Sequence, residues 1–350
     1  MQPPINADTP LWALMATFAI AAAAIWVAGT RLTRAVDVLA VRTGMGHAFA
    51  GMLLLAGVTS LPEMATVGVA AGSGSPDLAL ANLLGSSAIN VLLLAALDPL
   101  IGRGAMTSFI ARPSTLLQGV LGMMILIAAA AAMSAGDIAL FGVGLWSIVL
   151  ALLAFGAFRL SSSYEKRTPW VPADEDELAA ERRKTKTERK DGPTRRLWLA
   201  VAGLGVVIFA AGAFLSWSGD AIATRSGLGQ SFVGFLLVGV STSLPEVTTI
   251  VAAYRMGRYE LAVGDVFGTN IFNTGLLLLA DAAHGGEPVL NLAGPFEVVA
   301  ALLGALMTGV VVLGLLERRD RTILRMGYDS AAVIVLFVAG AALLYPLSQA

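Results

Sequence analysis

The sequence is poor in residues that many functional sites need. It contains no cysteine, which excludes disulfides, thiolate metal sites and cysteine nucleophiles. Its two histidines, His47 and His284, are too few for a histidine metal cluster and supply Ser-His-Asp chemistry poorly. Charged residues make up 13% of the 350 positions, against about a quarter in a typical soluble domain. The net charge of −1 provides no bulk attraction to nucleic acid, so neither an enzyme nor a nucleic-acid-binding protein is expected.

Apolar residues are abundant instead. They make up 57% of the chain, and the mean hydropathy is +0.77. Lipid is therefore the expected solvent, and a soluble all-α protein with an unusually apolar core is the alternative. A bilayer core needs roughly 20 apolar residues per helix. The sequence predicts ten such spans, at about 11–29, 45–71, 78–98, 114–134, 138–158, 197–217, 230–254, 261–281, 289–315 and 330–348.

The positions of the basic residues predict the orientation. With the N-terminus outside, all of the 23 lysines and arginines except Arg225 fall on the cytoplasmic side of the ten-span layout. We therefore expect a multi-pass protein of the cell (inner) membrane with its N- and C-termini outside. The N-terminal segment lacks the basic region of a cleavable signal, so the first span is expected to remain.

One long polar segment divides the chain. We predict a first five-helix repeat at 1–160, a charged cytoplasmic linker at 161–196 and a second, inverted five-helix repeat at 197–350. Within the linker, Asp174–Glu177 is either a calcium-sensing cluster or the acidic start of a solvated helix. The helix start is favoured because acidic residues there complement the helix dipole.

The two halves of the chain repeat at a separation of 183 residues. Ser60-Leu61-Pro62-Glu63 then aligns with Ser243-Leu244-Pro245-Glu246. Since each half holds five spans, an odd number, the copies should have opposite membrane orientations. Inverted repeats are typical of secondary transporters, whose substrate site lies near the midplane where the halves meet. The same ungapped register pairs Asp37 with Asp220, Arg42 with Arg225, Gly44 with Gly227, Gly46 with Gly229, Phe49 with Phe232, Asn82 with Asp265, Gly85 with Gly268, Asn90 with Asn273 and Asp98 with Asp281.

The repeated S-L-P-E segments are predicted to break their helices. Proline removes a backbone hydrogen bond and clashes with the preceding turn, so carbonyls on the N-terminal side of Pro62 and Pro245 should be free. Hard cations prefer such oxygens. In the alternative interpretation, Glu63 and Glu246 only complete capping boxes. A carboxylate deep in a span costs on the order of several kcal/mol, more than the roughly 1 kcal/mol that a cap contributes, so an ion or proton site is favoured.

Polar side chains also follow one face of the third and eighth spans. Asn82, Ser86 and Asn90 are spaced by four residues and therefore share a helix face. Their counterparts in the second half are Asp265, Thr269 and Asn273. Hydrogen bonding between helices could explain these stripes alone, but their pairing with the two glutamates favours oxygen ligands for a cation.

Together these motifs resemble the calcium/cation antiporter superfamily, which includes the sodium/calcium exchangers. The resemblance covers both S-L-P-E breaks, both polar stripes and the five-plus-five layout. It implies an all-α membrane fold of ten transmembrane helices in two inverted-topology repeats, with helices 2 and 7 broken at the S-L-P-E segments. It also implies ligands for the transported ion, namely Glu63, Glu246, Asn90, Asn273, Thr59, Ser60, Thr242, Ser243, Ser86 and Thr269.

The sequence therefore predicts a secondary active antiporter that exchanges Ca²⁺ for Na⁺ by alternating access. Two glutamates balance one divalent ion, two sodium ions or two protons, whereas an empty, doubly charged site should resist crossing the membrane. Some sodium/calcium exchangers have an aspartate at the position of Asn273, so this site has one carboxylate fewer than theirs. An H⁺-coupled exchanger of Ca²⁺ or another divalent cation is therefore the alternative, and a cation channel is less favoured. The expected partners are small cations and the lipid bilayer, with no cofactor beyond the transported ions and no obligate protein partner.

Overall fold

The architecture is helical, with two short β-hairpins. The computed structural model describes residues 5, 8–43, 57, 59–100, 105–110, 113–164, 194–255, 259–317, 322–323 and 325–349. In chain order the helices are α1 Leu11–Thr43, α2 Leu61–Gly72, α3 Pro76–Leu97, α4 Pro113–Ala135, α5 Leu145–Tyr164, α6 Thr194–Ser226, α7 Gln230–Thr242, α8 Leu244–Arg255, α9 Tyr259–Gly275, α10 Leu277–His284, α11 Val289–Leu292, α12 Pro295–Glu317 and α13 Tyr328–Leu347. The antiparallel hairpins are β1 Ala139–Leu140 with β2 Val143–Gly144, and β3 Thr322–Ile323 with β4 Met326–Gly327.

The length and hydropathy of these helices are those of a multi-pass membrane protein. Within the described residues, 7 helices are long and apolar enough to cross a bilayer, and counting the bent pair α7–α8 as one span makes 8. The predicted span at 45–71 falls largely on residues 44–56, outside the described part of the chain. The predicted span at 138–158 corresponds to the shorter α5, which begins only at Leu145 because β1 and β2 occupy the residues before it. The count of ten remains a prediction.

Several helix boundaries differ from those that hydropathy indicates. Helices α1 and α6 each contain 33 residues and extend beyond the predicted spans 11–29 and 197–217. Backbone hydrogen bonding continues there into polar sequence, whereas a hydropathy window stops with the apolar run. The predicted span 261–281 is interrupted at Leu276, and the span 289–315 is interrupted between Leu292 and Pro295.

The two halves have matching elements. The bounds of α6 are those of α1 displaced by 183 residues, and the same displacement relates α2 to α8, α5 to α13 and the first hairpin to the second. The matching extends to backbone angles: Ser60 has φ −83° and ψ 7°, and its counterpart Ser243 has φ −81° and ψ 5°. Both ψ values lie outside the α-helical range, so the backbone is interrupted at the same position of each half, two residues before the proline. At Ser243 the axes of α7 and α8 differ by 45°.

Two buried aspartates connect each half to the hairpin of the other. The Asp98 carboxylate accepts hydrogen bonds from the backbone N–H groups of Met106, at 2.9 Å, and of Gly327 in the second hairpin, at 2.7 Å. Its counterpart Asp281 accepts from Val289, at 2.8 Å, and from Gly144 in the first hairpin. The halves are therefore joined by two equivalent polar contacts, and the core between them contains the almost fully buried helix α3.

Candidate cation-binding site

Glu63 and Glu246 lie in the first turns of α2 and α8, directly after the two breaks. Both side chains are 0% exposed. The helix N-terminus carries a partial positive charge that favours a carboxylate there, so the local sequence explains why an acid is tolerated at this position. It does not explain why the carboxylates are buried, since an N-terminal acid can equally face water.

The capping-box alternative does not describe this geometry. Ser60 occupies the N-cap of α2 but its side chain makes no capping hydrogen bond. Within the described residues, the hydroxyl oxygens of Ser60 and Ser243 and both carboxylate oxygens of Glu63 and of Glu246 accept no hydrogen bond of normal geometry. Buried carboxylates without donors are costly unless a cation or a proton offsets their charge.

A threonine hydroxyl from the opposite half faces each glutamate. The Thr242 hydroxyl lies 3.2 Å from that of Ser86, and both face the Glu63 carboxylate. In the equivalent arrangement, the Thr59 hydroxyl lies 3.5 Å from that of Thr269 and faces Glu246. These hydroxyls approach the carboxylates without forming hydrogen bonds of normal geometry, so their lone pairs can also face a shared cation.

The two site asparagines differ in their contacts. Asn90 donates through Nδ2 to Oδ1 of Asn270, at 3.1 Å, and Asn270 donates to the Ser87 carbonyl at 2.9 Å. Oδ1 of Asn90, and both Oδ1 and Nδ2 of Asn273, are buried without a partner in the part of the chain that the structure describes. The sequence analysis did not include Asn270, because it lies next to Thr269 and outside the stripe of residues spaced by four. A polar amide side chain within an apolar span could have identified it.

Close helix packing holds the breaks in place. A Cβ atom on Gly29 of α1 would lie 2.6 Å from Cγ of Pro245, and one on its counterpart Gly212 of α6 would lie 2.5 Å from Cβ of Ala65. Each of the helices α1 and α6 can therefore approach the break of the opposite half only because its glycine lacks a side chain. The two long helices also pack along each other.

All ten predicted site residues lie in the described part of the chain and are at most 1% exposed. Their donor set consists of oxygen atoms from carboxylates, hydroxyls and amides, the type that hard cations prefer. The described residues contain no group of three or more histidine, aspartate or glutamate side chains arranged to hold a metal.

Glu246 does lie within electrostatic range of Glu63 and Asp265, and Asp265 was absent from the predicted ligand set. Of the positions that the sequence analysis named, Gly44, Gly46, His47, Phe49 and Asp174–Glu177 lie outside the described residues.

Comparisons with known proteins identify a family and relatives of this chain. The family model described as sodium/calcium exchanger protein matches residues 13–163 and 196–345. The inner membrane protein YrbG of Escherichia coli K12 is 28% identical over 274 residues, which are 77% of each chain. The putative antiporter CaxA of Alkalimonas amylolytica is 27% identical over 283 residues, 77% of this chain and 81% of CaxA.

Two solved structures have a similar fold. The crystal structure of the H⁺/Ca²⁺ exchanger CAX superposes with a TM-score of 0.68 at 15% identity, covering 96% of this chain and 85% of CAX. The sodium–calcium exchanger NCX_Mj superposes with a TM-score of 0.60 at 18% identity, covering 95% of this chain and 99% of NCX_Mj. At these identities the two likenesses concern the fold alone.

Proposed function

The chain belongs to the sodium/calcium exchanger protein family, whose members are membrane cation antiporters, and we propose that it exchanges Ca²⁺ for Na⁺ by alternating access. The observation that carries the proposal is the pair of fully buried glutamates, Glu63 and Glu246, whose carboxylate oxygens accept no hydrogen bond within the described residues. Two negative charges are neutralised by one Ca²⁺ or by two monovalent cations. An ion-free site would retain both charges in a medium of low dielectric constant, which disfavours the switch between inward-facing and outward-facing states.

The proposed ligands form two sets, and each set contains residues of both halves. Glu63 with Thr242, Ser243 and Ser86 would bind the ion from one side, and Glu246 with Thr59, Ser60 and Thr269 from the other, with Asn90 and Asn273 adding amide oxygens. The hydroxyls of Thr242 and Thr59 face the glutamate of the opposite half, which supports one shared site over two separate ones. A shared site lets both halves respond to the same ion.

The proposed layout in the membrane follows from the 183-residue repeat. We infer ten spans in two inverted repeats, 1–160 and 197–350, broken in the second and seventh spans and joined by a cytoplasmic linker at 161–196. Equal element bounds in the two halves support the repeat, and the 45° bend at Ser243 supports a broken seventh span. The basic residues support termini on the outer side.

Coupling to H⁺ is the second candidate. Two carboxylates balance two protons as readily as two sodium ions, and the superposition on CAX, whose name describes an H⁺/Ca²⁺ exchanger, supports a fold compatible with either ion. Sodium and proton gradients must therefore be imposed separately in any assay of this chain.

The test is radioactive Ca²⁺ uptake into proteoliposomes that contain the purified protein. We expect uptake driven by an outward Na⁺ gradient at equal pH, and little uptake when only a pH gradient is imposed in sodium-free buffer. Glu63→Gln and Glu246→Gln should each reduce uptake to the level of protein-free vesicles. Glu287→Gln, which changes an exposed glutamate, is the matched control and should transport normally.

The same assay identifies the other outcomes. Uptake driven by pH alone would replace sodium with protons as the coupling ion. Uptake without any counter-ion gradient, accompanied by current, would indicate a channel. Full exchange by the Glu63→Gln protein would contradict the proposed site.

A further inference from the structure

The matched positions 82 and 265 of the repeat differ in charge inside the core. Asn82 on α3 corresponds to Asp265 on α9, and each contacts a threonine that follows its S-L-P-E segment, Thr66 or Thr249. Asn82 is 1% exposed and Asp265 is 5% exposed. An amide can donate and accept hydrogen bonds, whereas a carboxylate only accepts, so the substitution changes what the surroundings must supply.

In the first half the hydrogen bonds are complete. Asn82 donates through Nδ2 to the Thr66 hydroxyl at 2.7 Å, and Oδ1 of Asn82 accepts from the hydroxyls of Thr242, at 3.3 Å, and Ser86, at 3.4 Å. Thr66 in turn donates its own proton to a backbone carbonyl, that of Pro62 at 2.9 Å. Both polar atoms of the Asn82 amide therefore have hydrogen-bond partners, and this neutral network needs no ion.

In the second half, Asp265 and Thr249 take the places of Asn82 and Thr66, and the Asp265 carboxylate has too few hydrogen-bond donors. The Thr249 hydroxyl lies 2.7 Å from Oδ2 of Asp265 and 2.9 Å from the carbonyl oxygen of Glu246. A hydroxyl has one proton, so it can donate to only one of these two oxygens. The other oxygen of Asp265, Oδ1, is shielded from solvent and has no partner within the described residues.

The charge of Asp265 also affects its neighbour. Asp265 and Glu246 lie within electrostatic range of each other, and two carboxylates in a low-dielectric interior repel one another. One carboxylate, one hydroxyl and one helix carbonyl thus provide oxygen ligands beside Glu246, and Oδ1 of the carboxylate has no donor within the described residues. A cation would satisfy these oxygens and relieve the repulsion.

Building on the proposed function, we propose that Asp265, the Thr249 hydroxyl and the Glu246 carbonyl form a sodium-ion subsite that only the second half possesses. A monovalent ion suits this position because a single carboxylate with neutral oxygens matches one positive charge. Ca²⁺ takes 6–8 oxygen ligands and commonly several carboxylates, which Asp265 alone does not provide. One sodium ion would then bind at ligands outside the carboxylates of the Glu63–Glu246 pair, in addition to the ions that balance that pair.

The test compares Asp265→Asn, which installs the first-half residue at the matched position, with the wild-type protein. We expect the Na⁺ concentration for half-maximal Ca²⁺ exchange to rise by about tenfold or more, as for loss of a charged ligand. Thr249→Val, which removes only the neutral hydroxyl ligand, should produce a smaller rise in the same direction. Asp329→Asn is the matched control, because Asp329 also has a shielded oxygen without a partner among the described residues but lies beside the second hairpin, near Gly327.

A second measurement separates this proposal from the proposed function. Sodium-free Ca²⁺/Ca²⁺ exchange should persist in the Asp265→Asn protein, and the purified protein should lose most of its thermal stabilisation by NaCl relative to choline chloride. An unchanged Na⁺ dependence and unchanged NaCl stabilisation, or an effect on the pH dependence alone, would overturn the sodium subsite. Absence of Ca²⁺ transport by the wild-type protein would instead reject the proposed function, while NaCl stabilisation would still report on Asp265.

Discussion

At the residue scale, the main feature of the core is a set of buried side-chain oxygen atoms without hydrogen-bond partners in the described part of the chain. Ser60 and Ser243 stand at helix starts, where serine usually caps the helix, yet their hydroxyl oxygens have no partner in the described part of the chain. The two glutamates three residues later also fail to close a capping box. Stability therefore does not account for the S-x-x-E spacing, and the free lone pairs are better explained by a ligand.

Ser60→Ala distinguishes these roles. Because no capping bond is lost, we expect the thermal unfolding midpoint of the purified protein to stay unchanged, while the Ca²⁺ concentration for half-maximal exchange rises roughly 2- to 10-fold, as for one neutral oxygen ligand. Differential scanning fluorimetry and Ca²⁺ uptake measure the two quantities. A loss of about 1 kcal/mol in unfolding free energy with unchanged Ca²⁺ dependence would restore the capping interpretation.

Among the helices, α3 and α7 pack closely beside the site. Residues Gly234–Val238 of α7 form a π-helical stretch, a feature frequent at functional sites. A Cβ atom on Gly85 of α3 would lie 2.6 Å from the Cα atom of Phe235 in that stretch. Because the neighbour is backbone, it cannot move aside as a flexible side chain would.

Gly85→Ala should therefore destabilise the protein. Overpacking of this kind costs about 1–3 kcal/mol, so we expect a lower thermal unfolding midpoint in detergent and reduced Ca²⁺ exchange. Gly203→Ala is the matched control, since a Cβ atom there meets nothing within 4 Å and alanine favours a helix more than glycine does. Equal midpoints for the two variants would contradict the close approach of α3 and α7.

At the scale of the whole molecule, Asp98 and Asp281 hold the halves together through the hairpins. Asp98→Ala would leave two buried backbone N–H groups, those of Met106 and Gly327, without their acceptor. Each unsatisfied donor costs about 1–3 kcal/mol, so the thermal unfolding midpoint should fall clearly. Asp98→Asn, which keeps one acceptor oxygen, should lower it less, and an unchanged midpoint for Asp98→Ala would exclude this stabilising role.

The orientation of the molecule in the membrane can be tested because the chain has no cysteine. Single cysteines introduced as Ser226→Cys and Ala179→Cys should react with an impermeant maleimide from opposite sides. We expect Ser226→Cys to be labelled in intact spheroplasts and Ala179→Cys only in inverted vesicles. Labelling of both from the same side would contradict an inverted repeat joined by a cytoplasmic linker.

Some features of this protein could be predicted from its sequence because they depend on local chemistry. A proline removes its hydrogen bond wherever the chain folds, so a break before Pro245 could be predicted, and the 45° bend lies there. Hydropathy indicated a membrane protein because a helix in lipid needs apolar residues along its whole length. The two S-L-P-E segments lie 183 residues apart and predicted matched halves, and the bounds of several helices match at the same separation.

Other features depended on contacts between residues far apart in the chain. Asp98 and Gly327 are 229 positions apart, and Asn90 and Asn270 are 180 apart, so no local pattern could pair them. Sequence alone placed Asp265 in a polar stripe, but only the packing of α9 against α8 brought its carboxylate to a hydroxyl with one proton to share. The sequence determined which groups would be buried; the tertiary structure decided which of them would lack a partner, because hydrogen bonds depend on distances between helices.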